Sequence, residues 1–368
     1  MNKYVLQAAA LTMAAFSTTT ARAQDHSHHH HMHGNASSGA QEHLHFGNVP
    51  ASITGDHTHN KGDWMLSYRP MRMSMRGNRD GTNSLNPLDI SGVVANTSGT
   101  GPTTMRIVPT EMTMDMHMLS AMYAPTDRLT LMVMGSYQRK TMDHITYAMA
   151  NADQEIGRFT TQSNGWGDTK VAGLYQLTPN KPYSLVAKAG ISLPTASLDE
   201  EATILNPMGA LQRTRMPYAM QLGSGTYDIE PALTYTQDKG AYSWGAQYTS
   251  QIHLGLNAQG YTLGDKHVIS GWGGYQINEM LGTTLRLSAE HEAQIDGRDD
   301  QIAGPVQTAD PNNYGGKRAE IGLGFNLQPF KNTAQVIAME VTLPVYQNLN
   351  GPQMERNYGL NVRYSYSF

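Results

Sequence analysis

From Trp64 to Phe368 the chain alternates apolar and polar residues with a period of two. That period belongs to strands with one face in an apolar environment. Twelve such segments stand out, at about 64–76, 110–123, 128–142, 167–178, 182–194, 225–236, 241–254, 265–277, 281–294, 317–327, 334–343 and 356–368. Most exceed the about five or six residues common in soluble sheets. They match tilted strands that cross a bilayer.

The connections alternate in length. Short ones fall at Pro125-Thr126-Asp127, Pro179-Asn180-Lys181, Asp238-Lys239-Gly240, Asn278-Glu279-Met280 and Pro329 to Thr333. Between them lie the longer segments Gly77 to Pro109, Asp143 to Trp166, Thr195 to Ser224, Gly255 to Gly264, Ile295 to Gly316 and Pro344 to Glu355. Outer-membrane barrels show this pattern, with short periplasmic turns and long outer loops. A soluble sandwich has no reason for it. An even strand number places both termini in the periplasm. The last strand sets Tyr358, Leu360, Val362, Tyr364, Tyr366 and Phe368 on one face, and the chain ends on that aromatic. The expected fold is all-β: a transmembrane antiparallel barrel of about twelve strands over residues 62–368, in a bacterial outer membrane.

Composition narrows the chemistry. The chain of 368 residues has no Cys, which removes disulfide scaffolds, thiolate metal sites and cysteine nucleophiles. A net charge of −4 leaves no electrostatic footprint for nucleic acid. No apolar run approaches the about 20 residues of a spanning helix. Residues 1–23 read as a secretory signal: Lys3, an apolar stretch from Val5 to Phe16, then Ala21-Arg22-Ala23.

Residues 24–61 hold His26, His28, His29, His30, His31, His33, His43, His45, His57 and His59, spaced by Gly, Ser, Asn and Asp. This composition carries too little apolar material to offset chain entropy and predicts a disordered tail. The tract reads as a metal-binding segment, a polar linker or an engineered tag. Ser27 and Met32 interrupt the run, unlike a tag.

Charged groups near the bilayer midplane cost about 2–4 kcal/mol when they face lipid, so they should mark the lumen. On that rule Glu111, Thr113, Asp115 and His117 face inward. Met112, Met114, Met116, Met118 and Met122 then face lipid as ordinary apolar surface. In the next strand Leu129, Leu131, Val133 and Tyr137 face out, leaving Met132, Met134, Gln138 and Lys140 inside. A bulge at Pro70 would turn Arg69, Arg72 and Arg76 inward and Met71, Met73 and Met75 outward. Met132 and Met134 beside Asp115 and His117 admit two readings, a thioether relay for soft Cu(I) or flexible apolar filler. Met142-Asp143-His144 brings three donor types to the rim of the same strand.

Several segments resemble the bacterial outer-membrane transporter family associated with meta-pathway phenol degradation. They are Ser163-Asn164-Gly165-Trp166-Gly167-Asp168, Leu193-Pro194-Thr195-Ala196-Ser197 and Gly223-Ser224-Gly225-Thr226-Tyr227-Asp228. The resemblance implies a barrel for passage of small molecules. Tyr68-Arg69-Pro70-Met71-Arg72-Met73 and the stretch from Pro109 to His117 also resemble a Met-rich branch linked to heavy-metal and copper tolerance. An outer-membrane phospholipase motif fails at Thr161, where that family has His before Ser-Asn-Gly. A serine nucleophile needs an adjacent base, so no enzyme is expected.

The leading expectation is a barrel that handles a transition metal, with the periplasmic His tract capturing it. No cofactor is expected to be tightly bound. Candidate ligands are Cu, Zn or Ni, and candidate partners are outer-membrane lipid, periplasmic metal carriers and efflux components. The alternative is a channel for small hydrophobic or aromatic compounds.

Overall fold

A computed structural model of the chain describes residues 48–99, 101–329 and 334–368. The expected signal segment and the histidines from His26 to His45 lie outside the described residues.

The chain is organised as β1 (Trp64–Gly81), β2 (Asn83–Leu85), α1 (Pro87–Val93), β3 (Ile107–Thr126), β4 (Leu129–Tyr147), β5 (Glu155–Trp166), β6 (Thr169–Gln176) and β7 (Tyr183–Leu193). It continues with β8 (Glu201–Leu205), β9 (Leu211–Arg215), β10 (Tyr227–Lys239), β11 (Tyr242–Leu254), β12 (Tyr261–Thr262) and β13 (Lys266–Gln276). Last come β14 (Leu281–Glu292), β15 (Asp296–Gly297), β16 (Gly316–Leu327) and β17 (Gln335–Ser367).

Eleven of these strands form a closed antiparallel ring, in the order β1, β3, β4, β6, β7, β10, β11, β13, β14, β16, β17 and back to β1. β17 supplies two passes. It reverses at Gly351, whose φ is +67°, so the Ser367 N–H donates to Ala334 O at 3.1 Å. Gln347 and Arg356 also pair across the reversal. The barrel therefore crosses twelve times, as the sequence pattern predicts. Its seam closes tightly: Trp64 and Phe368 exchange backbone hydrogen bonds of 2.8 and 2.9 Å. Closure leaves no sheet edge in lipid, where each unpaired backbone group costs several kcal/mol.

The outer wall carries exposed Leu66, Leu131, Val133, Val171, Ile191, Leu233, Leu285, Leu323 and Val341. Aromatic pairs border this band on the termini side: Trp64–Tyr123, Tyr183–Tyr235 and Tyr242–Tyr275, with ring centroids 4.7, 5.8 and 5.2 Å apart. Tyr137–Trp166 lies toward the opposite rim, at 5.8 Å. An apolar belt between aromatic girdles is the surface of a transmembrane barrel.

Two features depart from the sequence expectation. The predicted loop Asp143 to Trp166 is mostly strand, because β4 runs on to Tyr147 and pairs there with β5. β5 and β6 make one pass, interrupted at Gly167-Asp168. Above that break β5 pairs only with β4, and the hairpin β8–β9 packs beside it.

The second departure is residues 48–61, which pack inside the barrel mouth on the termini side instead of extending as a free tail. Val49, Ala51 and Ile53 are buried, with Val49 and Ile53 clustered on Trp272. Asn48 sits where any side chain at Gly274 or Gly282 would be, and its amide donates to Gln276 Oε1 at 2.9 Å. The Ser52 N–H donates to Glu340 Oε2 at 2.9 Å, while Asn326 and Arg363 donate to backbone carbonyls of the segment. Composition concealed this because the barrel, not the segment, supplies the apolar and charged partners.

Glu340 is fully buried and its other oxygen binds Arg286 Nε at 2.6 Å. Removing one partner of a buried pair strands the other charge. We expect Glu340→Ala to cost about 3–5 kcal/mol, read as a lower urea midpoint for the refolded barrel in detergent. A change too small to resolve would show that this pair anchors nothing.

Candidate functional site in the barrel interior

Strand alternation decides which side chains enter the lumen, and one parity reverses the sequence expectation. Met118, Met122, Met132 and Met134 line the interior cavities together with Met65, Met71 and Met73. Met112 and Met142 are buried there with Met216, Met220 and Met354, and Met75 packs on them. The opposite parity of β3 faces out: His117, Leu119 and Tyr123 are exposed. His117 Nδ1 lies 2.7 Å from the outward-facing Tyr68 hydroxyl.

Asp115 pairs with Arg72 at 3.6 Å and Glu111 with Arg76 at 3.8 Å, both on the outer surface. The rule that sent charges inward holds only near the bilayer midplane. β1 and β3 have 18 and 20 residues, against the about 9–11 that a crossing needs. Their outer ends clear the membrane, so charge is tolerated on either face. Pro70 carries no bulge against β3, where register is continuous from Trp64↔Tyr123 to Arg76↔Glu111. Met71 and Met73 therefore stay on the inner face with Arg69.

The expected foursome is thus divided: Met132 and Met134 are inside, Asp115 and His117 outside. Met142 and His144 share the inner face, and His144 stacks on Phe159 at 4.6 Å. Asp143 faces out and accepts from Thr160. His57 and His59 lie in the segment at the barrel mouth, with rings 4.9 Å apart. Among the described residues no group of three or more His, Asp or Glu could hold a metal ion.

Register joins the methionines into one file. Met65↔Met122, Met71↔Met116, Met73↔Met114 and Met75↔Met112 are partners between β1 and β3. Met122↔Met132 and Met112↔Met142 continue it onto β4. Met216, Met220 and Met354 join at the outer end; Met216 and Met220 sit in a loop whose inward fold the sequence did not signal. Across the lumen the wall is charged. Glu290 binds Lys266 at 2.9 Å, Arg318 at 3.1 Å and Arg356 at 2.7 Å, and Glu230 binds Lys170 and Lys188. A cavity of about 460 Å³ lies between these two walls. It adjoins one of about 690 Å³ at the termini end, sharing Arg69, Met118, Met132 and Met134.

The outer end is capped by loop 194–226. Lys140 Nζ donates to Ala219 O and Gln221 O, Gln138 to Leu222 O, and Ser163 Oγ to Met220 O. The Ser163 hydroxyl is committed to this structural bond. Asp168 accepts from the Ala196 N–H at 3.0 Å and the Ser224 N–H at 2.8 Å. Asp228, fully buried, accepts from Thr226 at 2.6 Å and lies 2.8 Å from His253 Nδ1. The segments that carried the family resemblance therefore meet at one node, which pins this loop into the barrel. Tyr218, Tyr261, Ile302 and Val306 pack above it.

No family model matches the sequence, and no curated protein is significantly similar to it. Among solved structures, the COG4313 outer membrane channel from Pseudomonas putida F1 superposes with a TM-score of 0.53 at 13% identity. The match covers 85% of this chain and 98% of that one. The chain shares the β-barrel fold of that protein. The P. putida toluene transporter TodX gives a TM-score of 0.43 at 12% identity, covering 87% and 93% of the two chains. The NanC porin gives 0.40 at 8%, covering 82% and 98%. The closed ring, apolar belt and girdles place the protein in the bacterial outer membrane.

The mouth segment contains a pH-sensitive group. Burial lowers the His59 pKa to about 4, with His57 adding repulsion and Asp63 and Asp56 opposing. The docked state therefore favours neutral His59. Docking is at full strength above the free-imidazole pKa of about 6.5 and weakens as pH falls from there to about 4. The neighbouring Asp56 carboxyl is held low, so its contribution is retained across that window. Hydrogen exchange at residues 48–61 should accelerate between pH 7.5 and 5, after correction for intrinsic rates. Unchanged protection would contradict this.

Proposed function

We propose that the barrel passes small apolar and aromatic solutes across the outer membrane, with the methionine file as the track. The supporting observation is the file itself, running along the inner face of β1, β3 and β4. Thioethers are polarizable and adaptable, and each sulfur–aromatic contact is worth about 0.3–1.5 kcal/mol. A row of such weak, equivalent contacts lets a solute enter and leave, which one deep pocket would not.

A second reading follows from the cluster of Met75, Met112, Met142, Met216, Met220 and Met354. Thioethers select soft ions such as Cu(I), and the His tract would supply Cu, Zn or Ni from the periplasm. Periplasmic metal carriers or efflux components would then be partners.

Three double variants separate the readings. Leucine keeps apolar volume but loses the sulfur, whereas glutamine adds polarity. In cells with an intact outer leaflet, labelled benzyl alcohol uptake should depend on this gene. Met118→Gln with Met134→Gln should reduce that uptake at least threefold, and the Leu pair should reduce it less, through loss of the sulfur–aromatic contacts alone. Uptake independent of the gene would overturn the channel reading. Met112→Leu with Met142→Leu tests the metal reading directly, through Cu(I) bound per purified barrel; equal binding before and after would exclude a thioether site.

A further inference from the structure

The central cavity has two chemically opposite walls, and they meet at a defined point. Met134 on β4 and Lys170 on β6 are register partners, so a thioether and an ammonium stand side by side on the lumen surface. Lys170 and Lys188 share a single carboxylate, Glu230. Lys266, Arg318 and Arg356 share Glu290, with Glu320 as the second acid lining the cavity. Arg286 is matched by Glu340, and Arg69 gives its guanidinium to a backbone carbonyl. Glu292 also binds Arg318, at 3.3 Å, so the second group balances at three cations and three acids. The first keeps one more cation than acid, and Arg69, bonded to a backbone carbonyl, adds a second surplus charge. The cavity wall is thus cationic inside a chain whose net charge is −4. Lys170 and Lys266 keep 28% and 34% of their side-chain surface open, the most of the five cations in those two groups.

We infer that the preferred solutes are small amphiphilic organic anions: an apolar or aromatic body carried on the methionine wall, with its carboxylate on Lys170 and Lys266. This rests on the channel reading above and names its substrate class. The volume of about 460 Å³ falls within the about 300–1,000 Å³ typical of small-molecule sites. Low-dielectric walls concentrate the field of the surplus cations in the lumen, raising the local concentration of anions and excluding cations. An ion-paired wall also suits passage, because a carboxylate exchanges with Glu230 or Glu290 for the same lysine instead of meeting a bare charge.

The test compares three solutes that share a benzyl or phenyl ring: benzoate, benzyl alcohol and benzylammonium. Their initial uptake is measured in cells with an intact outer leaflet, with and without the full-length gene. The expected gene-dependent rate for benzoate exceeds that for benzyl alcohol several-fold and that for benzylammonium at least tenfold. Lys170→Gln with Lys266→Gln should lower the benzoate to benzyl alcohol ratio at least threefold, with folding checked by heat-modifiable gel mobility. Gene-dependent uptake of benzyl alcohol without a preference for benzoate overturns this inference and leaves the channel reading standing. Gene-independent uptake of all three overturns both. Because the double variant could fail to fold, the unaltered barrel is also placed in a planar bilayer under a sodium benzoate gradient. An anion-selective reversal potential is expected, and a cation-selective one overturns the inference.

Discussion

Closure of the ring between β1 and β17 is the constraint on which the rest depends. In lipid every backbone N–H and C=O must find a partner within the protein, and the Trp64–Phe368 seam completes that set. Once the ring is closed, side chains have two destinations and alternate between them. Each choice of an outer residue fixes the parity of its inner neighbours. Leu66, Tyr68, Leu119, Tyr123, Leu131 and Val133 satisfy the outer face, and the methionines between them are thereby committed to the lumen.

A barrel of this width needs an interior. Three kinds of material fill it: thioethers on β1, β3 and β4, an ion-paired wall on β6 to β17, and chain from outside the ring. Residues 48–61 enter from the termini side, held by Glu340, Arg363 and Asn326. Loop 194–226 enters from the other side, held by Gln138, Lys140, Asp168 and Asp228. Polar side chains inside the wall serve as anchors for inserted backbone as well as lining, and the space left between the insertions forms the central cavity.

The fold was legible because its signal is periodic and redundant: strand period, strand length and loop alternation point the same way. The β5 extension was hidden because Glu155 to Asn164 lies beyond the girdle at Trp166 and need not alternate strongly. The site was only half legible. Met132 and Met134 were placed inside correctly, because Leu131 and Val133 fixed the parity of β4. β3 was reversed because Asp115 and His117 were treated as midplane charges, although their strand outruns the bilayer. Ser120 and Leu119 held the better clue, one polar and one apolar at membrane depth. Residues 48–61 and Met216, Met220 and Met354 carry no local mark of their destination, since partners far along the chain place them.

The inner position of the methionine file is the central claim, and parity at membrane depth tests it most directly. The chain has no cysteine, so Met118→Cys and Leu119→Cys each carry a single spin label in the reconstituted barrel. Collision rates with oxygen, which concentrates in lipid, and with a water-soluble nickel chelate then report each environment. The account predicts oxygen-dominated relaxation at position 119 and chelate-dominated relaxation at position 118. The opposite assignment would put the methionines back against lipid and contradict it.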